Sequence, residues 1–435
     1  MAVYPGPFEL HTNAELVENS GAVVFPQIVE ALTKPIKVVE EKGADAPGSK
    51  NIVCAGTIDE INEYFFLKKW SDGLPIIPPT MGRVEEFLKF TELAPEETVA
   101  TLPSANLQAT PWNIAVSGVM AGCRPEHMPL LIAAVCVLGD SSFSLASHGG
   151  STHSFNLFLC VNGPLARQLG IDHGQGLIAH PINRVIGRAL GLIERNIAGF
   201  RIKETQMGSF GKTLSWVLAE DEEALAGIGW EPYHVEKGFD RNSNVVSAGS
   251  STIWGQNLIP STSDARTLMR VLAYEITHKE CFASGNIRSA RTELMTPTVA
   301  KVLAEGGYSK KSLREDLIKN ARKVTHEWAF SKVNGSFGRV YPSFEEELAN
   351  CLVEPEVEKG RLPPWYPRFP GWEEIETTPS LQADKIEFLI CGDPSRNKAQ
   401  TMAGGRLVTK EIKLPANWDT LMQKKSYRPL KSFYL

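Results

Sequence analysis

The stretch from Gly118 to Met128 (GVMAGCRPEHM) holds the most reactive combination of side chains in the chain. Gly122 can end one helix, and Pro125 suits the first turn of the next, where its missing N–H costs nothing. Cys123 would then stand at or just before a helix N-terminus with Arg124 beside it. Both features favour a thiolate over a thiol. A thiolate in a cleft is a nucleophile or a redox centre. The competing expectation is packing, because free cysteine is among the most buried residue types. Glu126, in the first helical turn, is either a positioned acid or a partner of the helix dipole. His127 follows it, but adjacent helical positions point apart, so His127 is not expected to act directly on Cys123.

Four further constellations carry polar chemistry. Ser147 to His153 (SHGGSTH) reads as a hydroxyl-rich loop in which Gly149 and Gly150 could bring backbone N–H groups to an anion. His148 and His153 could be acid–base groups or metal ligands, although their spacing is not that of a helical zinc site. Gly208 to Thr213 ends in Gly-Lys-Thr, but Gln206 stands where a P-loop needs its first glycine. A turn into a strand is the better reading, with Lys212 available to an anion. In Trp230 to Phe239 (WEPYHVEKGF), His234 and Glu236 would alternate on an extended segment and could transfer protons together. Gly392 to Lys398 follows an apolar strand, the place where ligands gather in open α/β sheets. There Arg396 could hold a carboxylate or phosphate; the plainer reading is an exposed Asp-Pro turn.

Composition narrows the class. The chain has 435 residues, 43% hydrophobic and 22% charged, which suits a globular protein with a sizeable core. A net charge of -5 argues against a nucleic-acid partner. No run of 18 apolar residues predicts a membrane span, and the first residues do not read as a signal peptide. The 7 cysteines form no C-x-x-C pair and are scattered, as expected of reduced thiols in a cytoplasm.

These groups need elements to hold them. Residues 1–55 read as an irregular arm with a linker at 42–51. Thr57 and Glu60 form a capping box opening an amphipathic helix to Trp70. Ser71 to Thr80 (SDGLPIIPPT) must be extended, which makes it a rigid mount for Asp72. Helices are predicted at 111–120, 125–138, 183–197, 264–279, 297–305 and 311–333, and strands at 155–161, 214–219 and 385–391. The helix at 125–138 is apolar on nearly every face and suits a buried position or a subunit interface, hence an expected homo-oligomer. A proline-rich connector, 354–372, would separate a core at 56–353 from a C-terminal subdomain at 373–435. The fold class is α/β or α+β, a mixed sheet with packed helices and unread strand order.

Trp70 to Thr80 (WSDGLPIIPPT), Met120 to Pro129 (MAGCRPEHMP), Val161 to Pro164 (VNGP), Asn183 to Leu190 (NRVIGRAL) and Trp230 to Phe239 occur together in this order. Over about residues 57 to 240 the chain resembles the UGSC family of selenoprotein-like proteins. That family is named for a selenocysteine-Gly-Ser-Cys redox motif. This chain contains no Cys-Gly-Ser-Cys, so the resemblance lies in the family's second module. It implies Asp72, Cys123, Arg124, Glu126, Asn162, Asn183, Arg188 and His234 as site positions.

The expectation is a cytoplasmic enzyme acting on a small polar, anionic substrate. Cys123 would be the nucleophile or redox thiol, with His234 or His148 as acid–base partner and Asp72 and Glu126 as positioned carboxylates. Arg124, Arg188, Arg396, Lys212, Asn162 and Asn183 would bind the substrate, and Gly149 and Gly150 would support an oxyanion. No cofactor is implied directly. One alternative is a divalent metal at His148 and His153, with Asp72 or Glu126, in a lyase or hydrolase. Another is a binding or assembly protein without catalysis.

Overall fold

The computed structural model describes residues 2–6, 11–34, 50–152, 155–202, 204–208, 211, 215–251, 257–258, 262–278, 290–324, 377–379, 385–404 and 406–424. The chain divides into two compact units, Met1–Val53 and Cys54–Leu435.

The first unit is not an irregular arm. Thr12 and Glu15 form a capping box that opens α1 (Asn13–Asn19), and one π turn (Ser20–Val24) leads into α2 (Phe25–Thr33). Val17, Phe25, Ile28 and Leu32 are exposed along it.

The second unit opens with α3 (Ile58–Leu67), capped by Thr57 and Glu60 as the sequence predicts, and α4 (Met81–Leu88). A small hairpin, β1 (Ala100–Leu102) and β2 (Leu107–Ala109), precedes α5 (Pro111–Ala121). Gly122, at φ 90, ends α5 in a left-handed conformation that favours glycine. A single 3₁₀ turn (Pro125–His127) leads into α6 (Met128–Leu138), and α7 is Leu145–Gly150. Then come β3 (Asn156–Asn162), α8 (Pro164–Leu169), α9 (Pro181–Asn196) and β4 (Trp216–Ala219). Next are α10 (Glu222–Ile228), α11 (Tyr233–Glu236), β5 (Val245–Ser251), β6 (Asn257–Leu258) and α12 (Ala265–His278). The chain continues with β7 (Ala290–Met295), α13 (Pro297–Glu305), α14 (Lys310–Asn320) and β8 (Arg322–Val324). After β9 (Thr377–Pro379) come β10 (Ile386–Ile390), β11 (Lys398–Gly404), β12 (Val408–Glu411) and α15 (Trp418–Gln423).

The main sheet has the order β10-β7-β11-β5-β3-β4, with β12 pairing β5 and β6 pairing β11. β3 runs parallel to β4 and β10 parallel to β7; the other pairs are antiparallel. The fold is therefore a mixed sheet with packed helices. Because β10 to β12 are hydrogen-bonded into the same sheet as β3 to β5, these strands are part of the core and not a separate subdomain. The connector at 354–372 lies outside the described residues. The predicted helix at 311–333 ends at Asn320, and the chain turns into β8.

Apolar residues form three clusters. One packs α5, α6 and α9 against β3, β4, β5 and the end of β12. A second packs α10, α12, α13 and α14 against β7 and β10. A third lines the inside of the curled sheet with Phe158, Cys160, Leu218, Leu294, Leu389 and Met402. α6 is apolar all round because its own chain buries it, so it offers no interface. Among the described residues no single helix is long and apolar enough to cross a membrane.

Candidate active site at the strand ends

The two edges of the sheet meet where β4 and β10 finish. The Asp221 N–H donates to the Ile390 carbonyl at 2.7 Å. The buried Glu220 carboxylate accepts from the backbone N–H groups of Tyr233 (2.7 Å) and Ile390 (3.3 Å), and from Asn162 Nδ2 at 2.9 Å. Burial pushes the Glu220 carboxyl up, against the pull of the Lys310 ammonium 3.7 Å away. Lys310 also donates to the Glu231 carbonyl and to Glu236.

On the rim of this closure lies a pair that the sequence reading missed, His173 and Asp221. Asp221 caps α10, its Oδ1 accepting from Ala224 N–H at 2.9 Å. Its Oδ2 faces His173 Nδ1 at 3.4 Å. The hydrogen bond to Asp221 raises the His173 pKa above the ordinary value, against partial burial. The same contact holds Asp221 below the usual carboxylate range, with the Ala224 N–H adding to it and burial opposing. The His173 side chain is 51% exposed, whereas that of Asp221 is 13% exposed. A half-exposed imidazole with a carboxylate beside one ring nitrogen is an arrangement that can serve as a general base. The backbone beneath it is pinned: the His173 carbonyl accepts from Gly392 N–H at 2.7 Å, and the Asp172 carbonyl from Ala219 N–H at 3.2 Å. The sequence signal for this site was a histidine in a glycine-bearing loop (Ile171 to Gly176) and an Asp-Glu-Glu helix start directly after a strand.

The predicted site residues fall into separate places. Asp72, Cys123, Arg124, Glu126 and Arg188 form one cluster beside α9. Cys123 is buried, its Sγ donating to the Val185 carbonyl at 3.3 Å. Its own N–H bonds the Gly118 carbonyl, so it sits at the C-terminal end of α5, where the dipole disfavours a thiolate. Burial pushes its thiol well up, and Glu126 adds to this against Arg188. The expected activated thiolate is therefore corrected to a packed thiol. Arg188 is spent on Asp72, with Nε to Oδ2 at 2.8 Å and a second nitrogen to Oδ1 at 2.9 Å, and on the Leu74 and Pro75 carbonyls. Burial alone would raise the Asp72 pKa, but the Arg188 contacts hold it below the ordinary value. Arg124 lies 3.9 Å from the buried Glu126.

His234 is fully buried on one helical turn, α11, and not on an extended segment. Its Nε2 faces the Arg241 carbonyl at 3.2 Å and its Nδ1 lies 3.9 Å from Glu222, so it has no access to a substrate. Asn162 bonds Glu220 and Glu222 within the same closure. The Asn183 carboxamide is taken up by backbone groups, which removes it from substrate binding. His148 packs against Phe143 and Phe155 and reaches Ser250 at 3.3 Å. Ser250 pairs with Leu157 near the start of β3, while Asn162 ends that strand. Those five residues of extended chain separate His148 from the His173 end by roughly 17 Å. Gly149 and Gly150 are the last residues of α7 and not a loop. A helix C-terminus presents carbonyls, so it is not an oxyanion hole. Arg396 is 69% exposed, 3.6 Å from Asp393, in the loop that Gly392 ties to His173. Lys212 and His153 lie outside the described residues. Among the described residues no group of three or more His, Cys, Asp or Glu could hold a metal ion.

No family model, curated protein or solved structure matches the chain.

Proposed function

We propose that this chain is an enzyme acting on a small polar, anionic substrate by general acid–base chemistry, with His173 as the base. The observation that carries the reading is the half-exposed His173 ring, held through Nδ1 by Asp221 at the carboxyl ends of β4 and β10. Asp221 fixes the tautomer that leaves Nε2 to accept a proton from a substrate hydroxyl, an acidic carbon or a water. Arg396, on the neighbouring loop, supplies the positive charge for the substrate anion. Asn162, Glu220 and His234 form the buried support behind the site, with the partly exposed Glu222 beside them. The resemblance to the UGSC family is consistent with this reading, since Asn162, Asn183 and His234 gather around this strand end. A reducing, cytoplasmic setting is supported by the free thiols of Cys54, Cys123, Cys136, Cys160 and Cys391. A homo-oligomer is supported by the exposed apolar residues of α1 and α2. A monomer mass in light scattering would remove that part.

The test is to incubate the protein with a pool of small polar acids and to follow consumption by mass spectrometry. Compounds consumed by the wild type should persist with His173→Gln, and Arg396→Ala should slow their loss. Equal consumption by His173→Gln, or no consumption by the folded wild type, overturns the reading.

A further inference from the structure

Asn183 occupies the first turn of α9, is fully buried, and spends its side chain on the backbone of one neighbouring loop and strand. Its Oδ1 accepts from the Asp172 N–H at 2.9 Å. Its Nδ2 donates to the Asp172 carbonyl at 3.0 Å and to the Val217 carbonyl, inside β4, at 2.8 Å. A carboxamide that both accepts from and donates to one residue imitates a peptide group in a β ladder. No carboxylate, hydroxyl or apolar side chain of that size offers an acceptor and two donors together. Asp172 immediately precedes His173, and its carbonyl also accepts from Ala219 N–H in β4. Asp221 follows β4 by two residues. Asn183 therefore bonds at once to the loop that carries the imidazole and to the strand that carries its carboxylate partner.

We propose that Asn183 is a positioning residue for the His173–Asp221 pair, holding the imidazole at its carboxylate. The inference rests on the reading of His173 as the site's base but concerns only its geometry. The groups that act electrostatically on His173 are Asp221 at the start of α10, Asp172 on its own loop and Arg167 on α8. Of these, Asp221 has the largest effect, and it acts through a hydrogen bond that depends on position.

The experiment follows the titration of His173 by NMR in the full-length, histidine-labelled protein, its signal assigned through His173→Gln. In the wild type the midpoint should lie above about 6.5. In Asp221→Asn it should fall by about half a pH unit or more, and Asn183→Ala should fall toward the same value. Leu192→Ala, a buried change on α9 remote from the loop, serves as control: it should lower the melting temperature and leave the midpoint alone. Should Asn183→Ala lower the melting temperature while the His173 midpoint stays at the wild-type value, Asn183 is a packing residue and the proposal is overturned. Amide exchange in the unmodified protein supplies an arm independent of variant folding. The Asp172 N–H must exchange slowly, and exchange at the rate of an open loop also overturns the proposal. If His173→Gln keeps consuming substrate while Asn183→Ala moves the midpoint, the catalytic reading falls and the positioning role stands.

Discussion

His173 and Cys123 show how neighbouring groups decide what a reactive side chain can do. Asp221 raises the His173 pKa in the folded protein, so the pair stabilises the fold fully below the unfolded value of about 6.5. That stability is lost as pH rises through the folded value. The ring is half-exposed, so the contribution is at most about 1 kcal/mol. Urea unfolding between pH 5 and 9 should show this decline in the wild type and a flatter profile in Asp221→Asn. A decline of equal size in both would separate it from this pair. Cys123 behaves in the opposite sense. With its thiol buried and its pKa raised, alkylation at pH 8 should be far slower than for the unfolded chain, in which the thiol regains a pKa near 8.5. Located by mass spectrometry, fast labelling of Cys123 in the native protein would restore it as a candidate nucleophile.

Among the elements, α9 does most to set the geometry. It carries Asn183 toward His173, and along the same helix Arg188, Arg195 and Asn196 bind carbonyls of the 69–75 loop. Arg188 and Asp72 make a bidentate pair within that loop, so Arg188→Lys, which cannot match the fork, should cost about 1–3 kcal/mol in urea unfolding. Because the pair lowers the Asp72 pKa, its contribution is present above the unfolded value and disappears as pH falls through the folded one. Asp72→Asn should remove that acid-side slope. The helix reaches β4 closely through Gly187, where an added Cβ would lie 1.9 Å from the Ser215 carbonyl oxygen. Gly187→Ala should therefore destabilise by about 1–3 kcal/mol through overpacking. Gly191 has nothing within 4 Å of that position, so Gly191→Ala should gain roughly 0.5–1 kcal/mol. Melting temperatures that move the same way in both variants would refute the close-approach argument. Helices with caps and periodic faces, such as α3 and α5, were legible because their signals are local: Thr57 with Glu60, Thr110 with Pro111. The site was less legible. His234 and Glu236 read as an alternating extended pair because α11 is a single turn, too short to show a helical period. Gly-Cys-Arg-Pro reads as the start of a helix, but Gly122 and Cys123 finish α5 and only Arg124 and Pro125 open the next turn. His173 and Asp221 lie 48 positions apart and meet because the Asp172 carbonyl binds Ala219 N–H at the end of β4, a pairing that, like the curl of the sheet, joins distant segments.

That curl is a property of the larger unit as a whole, and no local pattern announces it. The edges β4 and β10 are held by one backbone bond, Asp221 N–H to the Ile390 carbonyl, and by one buried ionic group, in which Glu220 accepts from Ile390 N–H and Lys310 from α14 reaches Glu220, Glu236 and the Glu231 carbonyl. Neither Lys310 nor Glu220 touches solvent to any useful extent. A buried pair of this kind adds little over an apolar substitute, but removing one partner strands the other. Lys310→Met should therefore cost about 3–5 kcal/mol by urea unfolding. The loss should also depend on pH in a defined direction. Burial already raises the Glu220 pKa, and without the ammonium it must rise further. A raised carboxyl stabilises the fold below its unfolded value and loses that contribution as pH climbs, so the Lys310→Met penalty should be larger at pH 8 than at pH 5. Glu220→Gln removes the charge and keeps one of the two acceptor oxygens, the one that the Tyr233 N–H and Asn162 share. Combined with Lys310→Met, it should recover part of the loss and flatten the pH dependence. If the two changes simply add, or the penalty is the same at both pH values, Glu220 and Lys310 are not energetically coupled. The closure of the sheet would then rest on its backbone bond and on the apolar cluster inside it.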